Sequence, residues 1–88
     1  MSMSQQPLTG PYLTSDLALA TTLSLYFSIE EIDRSNPRKA VFVFKRSSKL
    51  ETLVDSYFSN EFKISPQTFF NQLREVKDQL YAEKRRLW

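Results

Sequence analysis

Glu30, Glu31 and Asp33 form the acidic cluster of an 88-residue chain that contains neither histidine nor cysteine. Glu31 and Asp33 fall on one face of a strand, so the pair could hold a hard cation such as Mg²⁺, but such sites also draw oxygen ligands from other elements or from substrate phosphates. The ordinary reading is a solvated strand edge. Without histidine or cysteine there are no thiolate nucleophiles, imidazole acid/base pairs, zinc fingers or disulfides. Any general base would have to be a carboxylate or a lysine. Loops that cradle phosphate need glycine for close approach of backbone amides, and Gly10 is the sole glycine. The residue types therefore predict no catalysis, no metal, no cofactor and no small-molecule substrate.

The basic residues are grouped more tightly. Arg34, Arg38, Lys39, Lys45, Arg46 and Lys49 lie within residues 34–49, a stretch without an acid, and Lys84, Arg85 and Arg86 form a second group. The first group could bracket a phosphate backbone, with Phe42 or Phe44 stacking on bases if exposed. Against this, twelve basic and ten acidic residues leave a net charge of only +2, and charges at both ends of a core strand serve solubility equally well. The run Lys39 to Phe44 is similar to an RNA-recognition strand but lacks that motif's glycine, which excludes it.

The elements that would position these groups can be read in order. Residues 1–13 carry no charge, two prolines and the one glycine, and read as a flexible arm whose Tyr12 and Leu13 can dock on the domain. Thr14 or Ser15 can cap a helix whose first turn contains Asp16 and whose apolar run, Leu17 to Leu23, ends near Leu25 or Tyr26. Two β-prone stretches, 27–33 and 39–46, flank a turn at Arg34-Ser35-Asn36-Pro37-Arg38 and predict a hairpin. In its second strand Ala40, Phe42 and Phe44 share one face, Val41 and Val43 the other. In its first strand Phe27 and Ile29 share a face while Ile32 falls opposite, which predicts a bulge or a face switch. Ser48-Lys49-Leu50-Glu51 has the form of a capping box, followed by Leu50, Leu53, Val54, Tyr57 and Phe58 at helical spacing and a stop near Asn60. Ser65 caps a last helix with Pro66 at its first position and a stripe of Phe69, Leu73, Val76 and Leu80, with Phe70, Lys77 and Tyr81 alongside.

The Ser15-Asp16-Leu17 start, the strand ending Phe42-Val43-Phe44, the helix with Leu53 and Tyr57, and the last helix with Pro66, Phe70, Leu73, Lys77 and Tyr81 together resemble a family of small bacterial and phage domains of unassigned function. The resemblance covers about residues 14–81. It implies a fold and transfers no functional residue, because the matching positions are mostly core and capping positions.

The expected architecture is a single α+β domain over residues 14–83, order α-β-β-α-α, with the hairpin packed against helices and a basic tail at 84–88. A two-stranded sheet with two apolar faces needs cover on both. The expected function is therefore a non-enzymatic protein-interaction module, self-associating as a homodimer or meeting a protein partner through Ile32, Val41 and Val43, with Trp88 as a further contact. The alternative is a small nucleic-acid-binding protein that uses the basic hairpin cluster. No segment is long and apolar enough to span a bilayer and no signal peptide is evident, so a cytoplasmic setting is expected.

Overall fold

The computed structural model describes residues 10–36 and 38–85, the last three by their backbone alone. Six elements follow one another: β1 (Tyr12–Thr14), α1 (Leu17–Ser24), β2 (Ile29–Asp33), β3 (Val41–Phe44), α2 (Ser48–Phe58) and α3 (Pro66–Arg85). The α+β class and the antiparallel hairpin are as expected. The sheet, however, has three strands in the order β1-β3-β2, so the hairpin's second strand is central. The third strand comes from Tyr12 and Leu13, assigned to the arm, and Thr14, read as a helix cap: Tyr12 pairs with Phe44, Leu13 with Val43 and Thr14 with Phe42. Three residues are too few to show a strand period, and β1 exists because β3 offers it a free edge. Helix α3 also runs to Arg85, beyond the expected boundary at residue 83.

Each helix begins at a side-chain cap, and two of the caps differ from the reading above. At α1 the cap is Asp16, whose carboxylate accepts from the Leu19 N–H at 3.2 Å, while Thr14 Oγ1 accepts from the Asp16 N–H. At α2 the cap is Ser47 and not Ser48: its hydroxyl accepts from the Leu50 N–H at 3.1 Å. That one-residue shift moves Glu51 out of the position from which a capping box closes and leaves its carboxylate for Arg46. At α3 Ser65 accepts from the Thr68 N–H, with Pro66 in the first helical position as expected.

Helix α2 ends in a Schellman motif. Asn60 takes φ 63°, its N–H bonds the Tyr57 carbonyl, and the Glu61 N–H reaches back to the Ser56 carbonyl at 3.0 Å. Asparagine tolerates this left-handed conformation better than other non-glycine residues, which explains why a chain with one glycine can still stop the helix here.

The core lies on one side of the sheet. Leu19, Ala20 and Leu23 of α1, Phe42 and Phe44 of β3, Leu50 of α2 and Val76 of α3 are buried together, with Tyr12, Phe27, Ile29, Ile32, Leu53 and Leu80 packed around them. Ile32 thereby departs from the face expected for it. Ile29 pairs with Phe44 and Ile32 with Phe42, although the isoleucines are three positions apart and the phenylalanines two, because a bulge between Ile29 and Glu31 inserts one extra residue. Strict alternation would send Ile32 outward; the bulge turns it back onto the core.

Candidate interaction surfaces

The bulge also decides what stands on the outer face. Cross-strand partners share a face, so Leu13, Val43 and Glu31 form one row across all three strands, and Val41 and Asp33 form a shorter row beside it. Leu13 is 44 % exposed, and neither Leu13, Val41 nor Val43 belongs to the apolar set packed against the core. The outer face is thus a small apolar strip bordered on the β2 side by carboxylates. Of the four interface residues read from sequence, the structure brings Val41 and Val43 together, assigns Ile32 to the core face, and leaves Trp88 outside the described residues. Leu13 was missed, since nothing in an uncharged arm marked it as a strand residue.

The six basic residues separate into two kinds. Arg34 is half-buried and donates to backbone carbonyls: Nη2 to Leu80 O at 2.8 Å and to Gln79 O at 3.0 Å, Nε to Leu80 O at 3.1 Å and Nη1 to Ile32 O at 3.3 Å. It fastens the end of β2 to α3. Arg46 donates to Gly10 O through Nε at 3.1 Å and to Glu51 Oε2 through Nη1 at 2.6 Å, and its guanidinium lies 5.5 Å from the centre of the Tyr12 ring. It fastens β1 to α2. Planar guanidinium groups with several fixed donors suit this carbonyl-gathering role, which lysine could not fill. Arg38, Lys39, Lys45 and Lys49 are exposed. Arg38 and Lys39 precede β3 and Lys45 and Lys49 follow it, so the exposed cations stand at opposite ends of the central strand and form no single patch.

The carboxylates build local structure. Asp33 Oδ1 accepts from the Ser35 hydroxyl at 2.6 Å and from its N–H at 2.9 Å, and these bonds, the hydroxyl first, hold its carboxyl below the usual aspartate range. Asn36 Oδ1 accepts from the Arg38 N–H, so the hairpin loop is made of two consecutive side-chain turns. Among the described residues no group of three acidic side chains is placed to hold a metal. A cleft of about 710 Å³ opens between the α1–β2 junction and α3, lined by Ser24, Phe27, Gln72, Glu75 and Gln79. Gln72 Nε2 donates to the Ser24 hydroxyl at 2.9 Å, so two of the polar groups that line the cleft are spent on each other.

No helix among the described residues is long and apolar enough to cross a membrane. These features define a small α+β domain. Residues 9–82 match the family DUF5659, a domain of unknown function, and the chain belongs to that family. No curated protein and no solved structure matches the chain.

Proposed function

We propose that this chain is a non-catalytic protein-association domain that pairs with a second copy of itself through the outer face of its sheet. The observation that carries the reading is the row Leu13–Val43 with Val41 beside it, apolar side chains outside the core on the side of the sheet away from Phe42 and Phe44. Residues 1–9 contribute only Met1, Met3 and Leu8 as large apolar groups. A patch that meets its own image closes in a two-fold dimer, the simplest symmetric solution.

Magnitudes set the strength of such a dimer. Full burial of a valine or leucine contributes about 1.5 to 3 kcal/mol, and these side chains are already partly covered, so three per copy yield a sum comparable with an association cost of about 4 to 15 kcal/mol. Pairing is therefore weak and concentration-dependent. A reducing, cytoplasmic setting belongs to the same reading and is compatible with the cysteine-free composition. Nucleic-acid binding by the hairpin cluster is the weaker alternative, because Arg34 and Arg46 are engaged in holding the fold.

The test is mass by light scattering and helicity by circular dichroism on the parent and on Val43→Lys. The parent should gain mass with concentration in the high micromolar range, and the variant should remain monomeric with unchanged helicity. A parent that stays monomeric throughout overturns the proposal. An unfolded Val43→Lys would place that face inside the monomer's own core and overturn it equally.

A further inference from the structure

Helix α3 has a second face that the core does not use. Val76 is buried in the core, Leu80 packs against it, and Phe69 and Leu73 are half-buried. About 100° further round, at successive steps of four, three and four, stand Phe70, Arg74, Lys77 and Tyr81, and all four are exposed. Phe70 is 59 % and Tyr81 47 % exposed, the aromatic ends of a strip about 16 Å long with both cations between them. Of the three acids in the helix, Glu75 and Asp78 stand beyond this strip on its far side with Asn71 and Ala82.

Two details make the strip more than an average solvated face. The Phe70 ring is braced edge-on by Phe69, centroids 5.7 Å apart at 77°, which fixes it while leaving much of its surface open. Arg74 Nη2 donates to Asn71 Oδ1 at 2.7 Å, which holds the guanidinium close along the helix.

We infer that this face of α3 binds single-stranded nucleic acid, with bases stacked on Phe70 and Tyr81 and phosphates held by Arg74 and Lys77. Two aromatic groups with cations between them suit an unpaired strand, because every base has a π-face and every linkage an anionic oxygen. Charge excludes a second copy of the helix as occupant: an antiparallel two-fold pairing centred on the strip would set Arg74 against Lys77 of its mate. A lipid surface is excluded by size, because two aromatic side chains are too small an apolar face for an interfacial helix. The surface is distinct from the sheet face, so this inference and the self-association reading stand or fall separately.

The experiment is fluorescence anisotropy of labelled oligothymidylate and oligouridylate, about twelve nucleotides long, titrated with the full chain at about 50 mM salt and again at about 200 mM. Binding of either oligonucleotide that weakens steeply with salt is expected. Arg74→Gln with Lys77→Gln should lower both the affinity and the salt slope. Phe70→Ala with Tyr81→Ala should lower affinity by about tenfold or more with the slope unchanged, since stacking releases no counterions. Every substituted position is exposed, and circular dichroism verifies that the fold persists. Arg38→Gln with Lys39→Gln serves as the control and should change affinity less than twofold. No complex with either probe overturns the inference, as does a control that loses as much affinity as the α3 variants.

Discussion

Arg46 Nη1 stands 2.6 Å from Glu51 Oε2, and the same guanidinium bonds the Gly10 carbonyl at 3.1 Å and covers the Tyr12 ring. One side chain thus joins β1, the end of β3 and α2. Its side chain is 13 % exposed whereas that of Glu51 is 45 % exposed, so the ion pair itself is well screened and the carbonyl bonds and ring contact matter more.

Arg46→Ala should therefore cost about 2 kcal/mol in urea denaturation, whereas Glu51→Gln should cost less than about 1 kcal/mol. Arg46→Lys separates charge from shape: it retains the cation but not the fork of donors, and should remain close to the alanine variant. A lysine variant as stable as the parent would show that charge alone suffices.

Thr21 is fully buried in α1 and its hydroxyl has no hydrogen-bond partner among the described residues, unlike Thr22, whose Oγ1 donates to the Ala18 carbonyl at 3.0 Å. Replacing an unsatisfied hydroxyl by a methyl of similar shape removes a desolvation penalty, so Thr21→Val should stabilise the domain by about 1 kcal/mol. Thr22→Val loses a bond and should not stabilise. Calorimetric melting of the two variants decides between them, and a lowered transition for Thr21→Val would contradict the assignment.

Asn60, at φ 63°, is the position where α2 reverses. Asn60→Gly should be neutral or slightly stabilising, and Asn60→Val should cost about 1 to 2 kcal/mol because a branched side chain collides with its own backbone there. Chemical denaturation of the pair reads this directly.

Much of this architecture was legible because it rests on local chemistry. The cap at Ser65, the stripe Phe69–Leu80, the stop at Asn60 and the two faces of β3 all follow from spacing and turn residues. Two features were not, and for related reasons. Strand β1 has no period of its own and exists through pairing with residues about thirty positions later. The placement of Ile32 depends on a single inserted residue, which sequence alternation can flag but not locate. Among the surface residues, Val41 and Val43 followed from the strand period, whereas the engagement of Arg34 and Arg46 by backbone carbonyls depends on tertiary approach. The exposed strip of α3 was within reach of the helical period, but its residues read as flanks of the core stripe.

Burial raises the Tyr12 hydroxyl above its ordinary pKa, partly offset by the nearby Arg46 cation and reinforced by Asp16, Glu51 and Asp55. Tyr57 is raised mainly by burial as well. A phenol raised in the folded state is neutral in both states below its unfolded pKa, so its contribution to stability is intact there. It is lost as pH climbs from about 10 towards the folded value, because the unfolded chain releases the proton first. Stability should therefore fall on the alkaline side more steeply in the parent than in Tyr12→Phe. Equal slopes for the two in urea titrations across that range would remove Tyr12 as a source of alkaline unfolding.

The long-range pairing of β1 also orders events in time. The β2–β3 hairpin closes a short loop, whereas β1 can dock only after about thirty intervening residues have been enclosed, and closure entropy makes that late. During synthesis β1 leaves the ribosome first yet must wait for β3 to emerge before it has an edge to join. Its contacts belong to the final descent from the folding barrier, so weakening them, as Leu13→Ala would, should leave the rate of folding nearly unchanged and speed the reverse reaction. The strand that begins the domain thus acts as a latch, setting how long the folded state persists more than how quickly it is reached.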